Sequence, residues 1–123
     1  MDCKKLTGAT NLLMVLSARA AFSSRGDVVK YRKKADSGRE LDICRCQTCG
    51  VRMWHEPLSA PNLIFVAAGT LDEPSWVIPT SHIYVERVSP GVEMAGDALQ
   101  VNGQPPNREV LMEAFSKAYP DYR

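Results

Sequence analysis

The sequence predicts a mainly β fold built from short antiparallel strands and finished by a C-terminal helix. Three observations lead there. Segments rich in β-formers recur through the first 90 residues, with turn residues or prolines between them. A Pro- and Gly-rich stretch then interrupts regular patterning, and helical spacing of apolar residues is sustained only after residue 107. With 123 residues and 45% apolar content, the chain is sized for one domain with a real core and is too apolar to be disordered throughout.

Taken in order, residues 11–22 read as a strand through Leu12-Leu13-Met14-Val15-Leu16, followed by a turn over Ala18-Arg19-Ala20-Ala21-Phe22. Residues 28–32 and 40–44 form a hairpin around the turn residues Ala35-Asp36-Ser37-Gly38. Val51-Arg52-Met53-Trp54-His55 alternates as a half-buried strand does, and Pro57 to Pro61 ends it. The continuous apolar run over residues 62–68 suits a central strand. Residues 82–88 are expected to be the last strand, and residues 89–106, with three prolines and three glycines, an ordered loop. Asn107 can cap a helix whose Val110, Leu111, Ala114, Phe115 and Ala118 share a face before Pro120 stops it.

Charge and hydropathy exclude several classes. Fifteen basic residues against 14 acidic ones leave +1, so neither a nucleic-acid footprint nor an acidic tail is present. The basic run Lys30, Arg32, Lys33 and Lys34 reads as a solvated hairpin tip. No apolar run approaches the roughly 18 residues of a membrane span, and the start lacks the order of a secretory signal. The expectation is a cytoplasmic protein with no nucleic-acid or membrane partner, whose thiols are kept reduced.

The strongest local signal is Cys44-Arg45-Cys46-Gln47-Thr48-Cys49-Gly50. In Cys46-x-x-Cys49-Gly50 both sulfurs can turn inward while the glycine takes the left-handed conformation that closes the knuckle, a geometry used for zinc. Cys44, two residues before Cys46, would project from the same face of an extended strand. Buried relict thiols and a disulfide or redox pair are the competing readings.

The ordered succession Cys3-Lys4-Lys5-Leu6-Thr7-Gly8, Tyr31-Arg32-Lys33 with Asp36-Ser37-Gly38-Arg39, Cys46-Gln47-Thr48-Cys49-Gly50, Ala68-Gly69-Thr70-Leu71-Asp72-Glu73-Pro74-Ser75-Trp76 and Pro79-Thr80-Ser81-His82-Ile83 resembles the glutathione-dependent formaldehyde-activating enzyme and centromere protein V family. The resemblance covers about residues 3 to 105. It implies an antiparallel β-tent over residues 1–106, shortened at its N-terminus, with residues 107–123 as an amphipathic helix docked on it. It also implies carbon-sulfur lyase chemistry of the S-hydroxymethylglutathione synthase type, with zinc as cofactor and a small thiol such as glutathione, or its aldehyde adduct, as partner. Cys46 and Cys49 match the family's later structural pair, and Cys3 matches the last cysteine of its catalytic motif. The first structural pair and two catalytic ligands have no counterpart in this sequence. The expected metal set is therefore Cys44, Cys46 and Cys49, with Cys3 or His55 as the fourth ligand.

The other candidate residues carry simpler expectations. His55 reads as a surface or hydrogen-bonded histidine, His82 as a residue fixing a loop or strand start, and Trp54 and Trp76 as core. The functional alternative is a non-catalytic β-tent module, homodimeric through its shortened edge, with structural zinc or none.

Overall fold

A computed structural model of the chain describes residues 2–94 and 96–121. The fold is mainly β, with a five-stranded antiparallel sheet and a C-terminal helix. Contacts divide it into two compact units, residues 2–77 and residues from 78 onward.

The first unit begins with a short helix α1 (Asp2–Thr7), which buries none of its residues. Five strands follow: β1 (Met14–Ala18), β2 (Val28–Lys34), β3 (Glu40–Cys46), β4 (Arg52–Pro57) and β5 (Leu63–Ala67). They pair antiparallel in the order β1-β5-β4-β3-β2. The expected strand and turn over residues 11–22 are β1 and a one-turn 3₁₀ helix at Arg19–Ala21. The β2–β3 hairpin closes where expected. Gly38 at φ 82° donates its N–H to the Ala35 carbonyl at 2.8 Å, a conformation that only glycine adopts without strain. The apolar run around β5 does occupy an interior strand, between β1 and β4.

Register assigns side chains to faces. Lys30, Cys44, Trp54 and Val66 are successive cross-strand partners and share one face. Cys44, Trp54 and Ile64 form its core, with Phe22, Val28, Met53 and Val66 packed against them. Phe22 and Trp54 meet at 5.0 Å between ring centroids, tilted by 58°, a favourable aromatic geometry. Tyr31, Ile43, His55 and Phe65 line the other face. The β3–β4 register shifts after Cys44, because Cys44 opposes Trp54 while Arg45 opposes Arg52. Met53 is thereby the extra residue of a β-bulge, and Arg52 and His55 come to the same face although three positions separate them.

The second unit corrects two expectations. The strand foreseen over residues 82–88 stops early, as β6 (Ser81–Ile83), because Tyr84 takes the left-handed conformation at φ 57° and opens a 3₁₀ turn at Val85–Arg87. Arg87 lies over the Tyr84 ring at 5.5 Å, and Tyr84 Oη donates to Gln104 Oε1 at 2.7 Å. The presumed loop over residues 89–106 contains a strand, β7 (Leu99–Val101), which pairs with β6 in parallel. Residues 84–98 supply the long crossover that parallel pairing requires. The helix α2 (Glu109–Ala118) forms as expected, with Val110 N–H donating to the Asn107 side-chain oxygen at 3.2 Å. Tyr119 stacks on Phe115 at 4.8 Å and its hydroxyl accepts from Ile78 N–H at 2.7 Å.

Candidate functional site

Cys46 and Cys49 are brought together by the turn after β3. Gly50 N–H donates to the Cys46 carbonyl, and Cys46 N–H to the Val51 carbonyl, each at 2.9 Å, with Gly50 at φ 73°. Backbone N–H groups at Cys49 and Thr48, then the Cys49 side chain, hold the Cys46 thiol below its ordinary pKa. Both effects stabilise a thiolate, the form that binds soft metals or attacks electrophiles.

Cys44 has the opposite character. It is fully buried between Trp54 and Ile64, and burial followed by the nearby Glu56 carboxylate pushes its thiol up to about 11. Lys30 offsets only part of this. Cys3 sits exposed on α1. That helix lies against the other face of the sheet, where Lys33 Nζ reaches Asp2 at 3.1 Å and Arg45 Nη2 donates to the Leu6 carbonyl at 3.5 Å. Of the four cysteines of the expected metal set, then, the structure pairs Cys46 with Cys49, sinks Cys44 into the core and carries Cys3 on the opposite face. All four are free thiols. Among the described residues no group of three or more His, Cys, Asp or Glu side chains is placed to hold one metal ion.

His55 is buried at 5% exposure rather than at the surface, and Arg52 beside it is 8% exposed. Burial, then the like charges of Arg52 and Arg45, depress the His55 pKa to about 4, so the ring is neutral at pH 7. Burial also lowers the Arg52 pKa, a thiolate at Cys3 acts in the other direction, and the Arg45 charge adds to the lowering. Arg45 Nη1 is held by the Gly50 carbonyl at 3.1 Å, which ties the cysteine knuckle to this cationic cluster.

On the core face, Glu56 collects Lys30 Nζ at 2.6 Å, Arg19 Nη1 at 3.0 Å and Trp54 Nε1 at 3.0 Å. Burial opposes its ionisation, but the hydrogen bonds from Lys30, Trp54 and Arg19 outweigh that and hold its carboxyl down to about 2. Arg32 grips Asp42 through Nε at 2.8 Å and Nη2 at 3.0 Å. Three residues of the basic run of β2 are thus engaged: Lys30 with Glu56, Arg32 with Asp42 and Lys33 with Asp2. An open cavity of about 360 Å³ lies beside these pairs, between Arg19, Arg32, Glu56 and Leu63. Trp54 is in the core as expected, whereas Trp76 is half-buried. In the second unit, Ser81 Oγ and His82 Nε2 are buried without a hydrogen-bond partner among the described residues.

Sequence reading passed over Arg52 and Glu56. The signal for Glu56 was its place one cross-strand step from Asp42, itself opposite Arg32. No alternation rule could have joined Arg52 to His55, because the Met53 bulge does so.

The family model described as glutathione-dependent formaldehyde-activating enzyme matches residues 1–87. No curated protein matches the chain. Among the described residues, no helix is long and apolar enough to cross a membrane.

Proposed function

Since the chain belongs to the glutathione-dependent formaldehyde-activating enzyme family, we propose that it acts in the cytosol on a small thiol such as glutathione or its aldehyde adduct, by carbon-sulfur lyase chemistry. The observation that carries this reading is Cys3, an exposed thiol at the family's catalytic cysteine position, whose thiolate would interact favourably with the charge of Arg52. In the forward direction Cys3, acting in its thiolate form, takes the proton of the substrate thiol. The substrate sulfur then attacks the formaldehyde carbon, the carbonyl π pair moves to oxygen, and that oxygen recovers the proton from Cys3. The product is a hydroxymethyl thioether, with Cys3 returned to its starting state.

Zinc belongs to the proposal as the ion that Cys46 and Cys49 would hold as ligands, since their knuckle and the lowered Cys46 pKa suit it. Bound zinc supplies a Lewis acid that lowers a thiol's pKa and holds the thiolate. Two thiols are fewer than the three protein ligands usual for a catalytic zinc, so the steps above use only the chain's own groups. Adding Cys44 to the set would require drawing a fully buried side chain out from between Trp54 and Ile64.

The test is exchange between ¹³C-formaldehyde and its glutathione adduct, followed by NMR with and without the protein. Acceleration over the spontaneous exchange supports the reading. Exchange at the spontaneous rate removes it, and leaves a non-catalytic, homodimeric module as the second reading. That alternative is favoured by β2, an edge strand exposing Val29 and Tyr31 at 51% and 55%. Sedimentation as a monomer across concentrations would sink it.

A further inference from the structure

The face of the sheet opposite Cys44 holds an electrostatic arrangement that the fold by itself leaves unsatisfied. Arg52 and His55 are each more than nine-tenths buried, and Arg52 Nε, Arg52 Nη1 and His55 Nε2 have no hydrogen-bond partner among the described residues. Arg45 stands opposite Arg52 in the ladder. Among the described residues, the group of opposite sign acting on Arg52 is Cys3, and only as a thiolate. A buried guanidinium is ordinarily paired with an acid, because an unpaired one forfeits its hydration with nothing in return. Here the cross-strand partner is another arginine.

We propose that Arg52, flanked by Arg45 and His55, is a binding site for a carboxylate group of a small acidic ligand. The donors define the chemistry: uncommitted N–H groups on a cation call for an oxygen anion. Arg45 keeps its charge but commits donors to the Gly50 and Leu6 carbonyls, and His55 is neutral, so the uncommitted cationic donors are those of the single Arg52 guanidinium, a match for one carboxylate. Access comes through α1, which lies on this face, buries none of its own residues and is therefore among the easiest elements to displace. Assigning the carboxylate to a glutathione-like molecule rests on the proposed function; the site itself does not.

The probe is S-methylglutathione, which keeps both carboxylates of glutathione but has no thiol and forms no aldehyde adduct. Its binding is measured by calorimetry against glutathione diethyl ester and inorganic phosphate, with the wild type, Arg52→Gln and Arg52→Met. The proposal expects S-methylglutathione to bind the wild type, and the ester and both variants to lose about tenfold or more in affinity, as loss of a hydrogen bond to a charged group implies. It also expects Arg52→Met to raise the thermal midpoint of the ligand-free protein, since it removes an unpaired buried charge; a merely structural arginine would lower it. Absence of binding by the wild type, equal binding by wild type and variants, or tighter binding of phosphate would overturn it. A protein that binds S-methylglutathione through Arg52 yet leaves formaldehyde exchange at the spontaneous rate would retain this site and lose the proposed function.

Discussion

Replacing Glu56 with glutamine removes one negative charge from the meeting point of Lys30, Arg19 and Trp54 while keeping the side chain's shape. The fall of the Glu56 carboxyl from its ordinary 4.5 to about 2 corresponds to about 3 kcal/mol in favour of the ionised form within the fold. That is an upper figure, because the Lys30 and Arg19 side chains are 46% and 49% exposed and water screens their share. A loss of about 1–2 kcal/mol at pH 7 is expected, with the Trp54 N–H still bonded to the amide oxygen. The sign follows from a depressed folded-state pKa: the contribution is whole above pH 4.5 and disappears as pH falls through 4.5 toward 2. Urea unfolding at pH 7 and at pH 3 is the assay. The wild type should exceed the variant at pH 7, and the gap should narrow at pH 3. Equal stability at pH 7, or a gap that widens on acidification, would refute the argument that these hydrogen bonds overcome the cost of burying the carboxylate.

Three further outcomes follow from the same geometry. His55, depressed from 6.5 to about 4, takes up its proton more readily in the unfolded chain, so it should contribute a loss of up to about 3 kcal/mol as pH falls from 6.5 to 4, and His55→Leu should flatten that slope in urea titrations. Gly50→Ala meets no atom within 4 Å, so its expected cost of about 1 kcal/mol comes from the left-handed backbone alone; a variant as stable as wild type by thermal unfolding would contradict the knuckle geometry. Iodoacetamide in native conditions should label Cys3, Cys46 and Cys49 before Cys44, which burial and a pKa near 11 protect; mass mapping that finds Cys44 modified first would contradict its place in the core.

Most of the first unit was legible in the sequence because its strands are long enough to show their period and their turns use recognisable residues. Residues 28–32 and 40–44 read directly as a hairpin, and the apolar run over residues 62–68 as an interior strand. The second unit was harder for a physical reason. The three-residue strands β6 and β7 are too short to show alternation, and a left-handed Tyr84 has no glycine to announce it. At the candidate site, Cys46 and Cys49 were legible from spacing, since two residues and a glycine close the loop locally. Cys44 misleads because spacing sets its face but not what that face packs against, and Trp54 and Ile64 bury it. The electrostatic influence of Cys3 on Arg52 depends on α1 and on the Met53 bulge, neither of which local pattern reveals.

The proposed activity rests on the thiol carried by α1. Exchange of ¹³C-formaldehyde with its glutathione adduct, compared between the wild type and Cys3→Ser at equal concentration, tests it most directly, with circular dichroism confirming that both are folded. The account predicts faster exchange with the wild type and a return to the protein-free rate with Cys3→Ser. Equal acceleration by both proteins would show that the chemistry is done elsewhere.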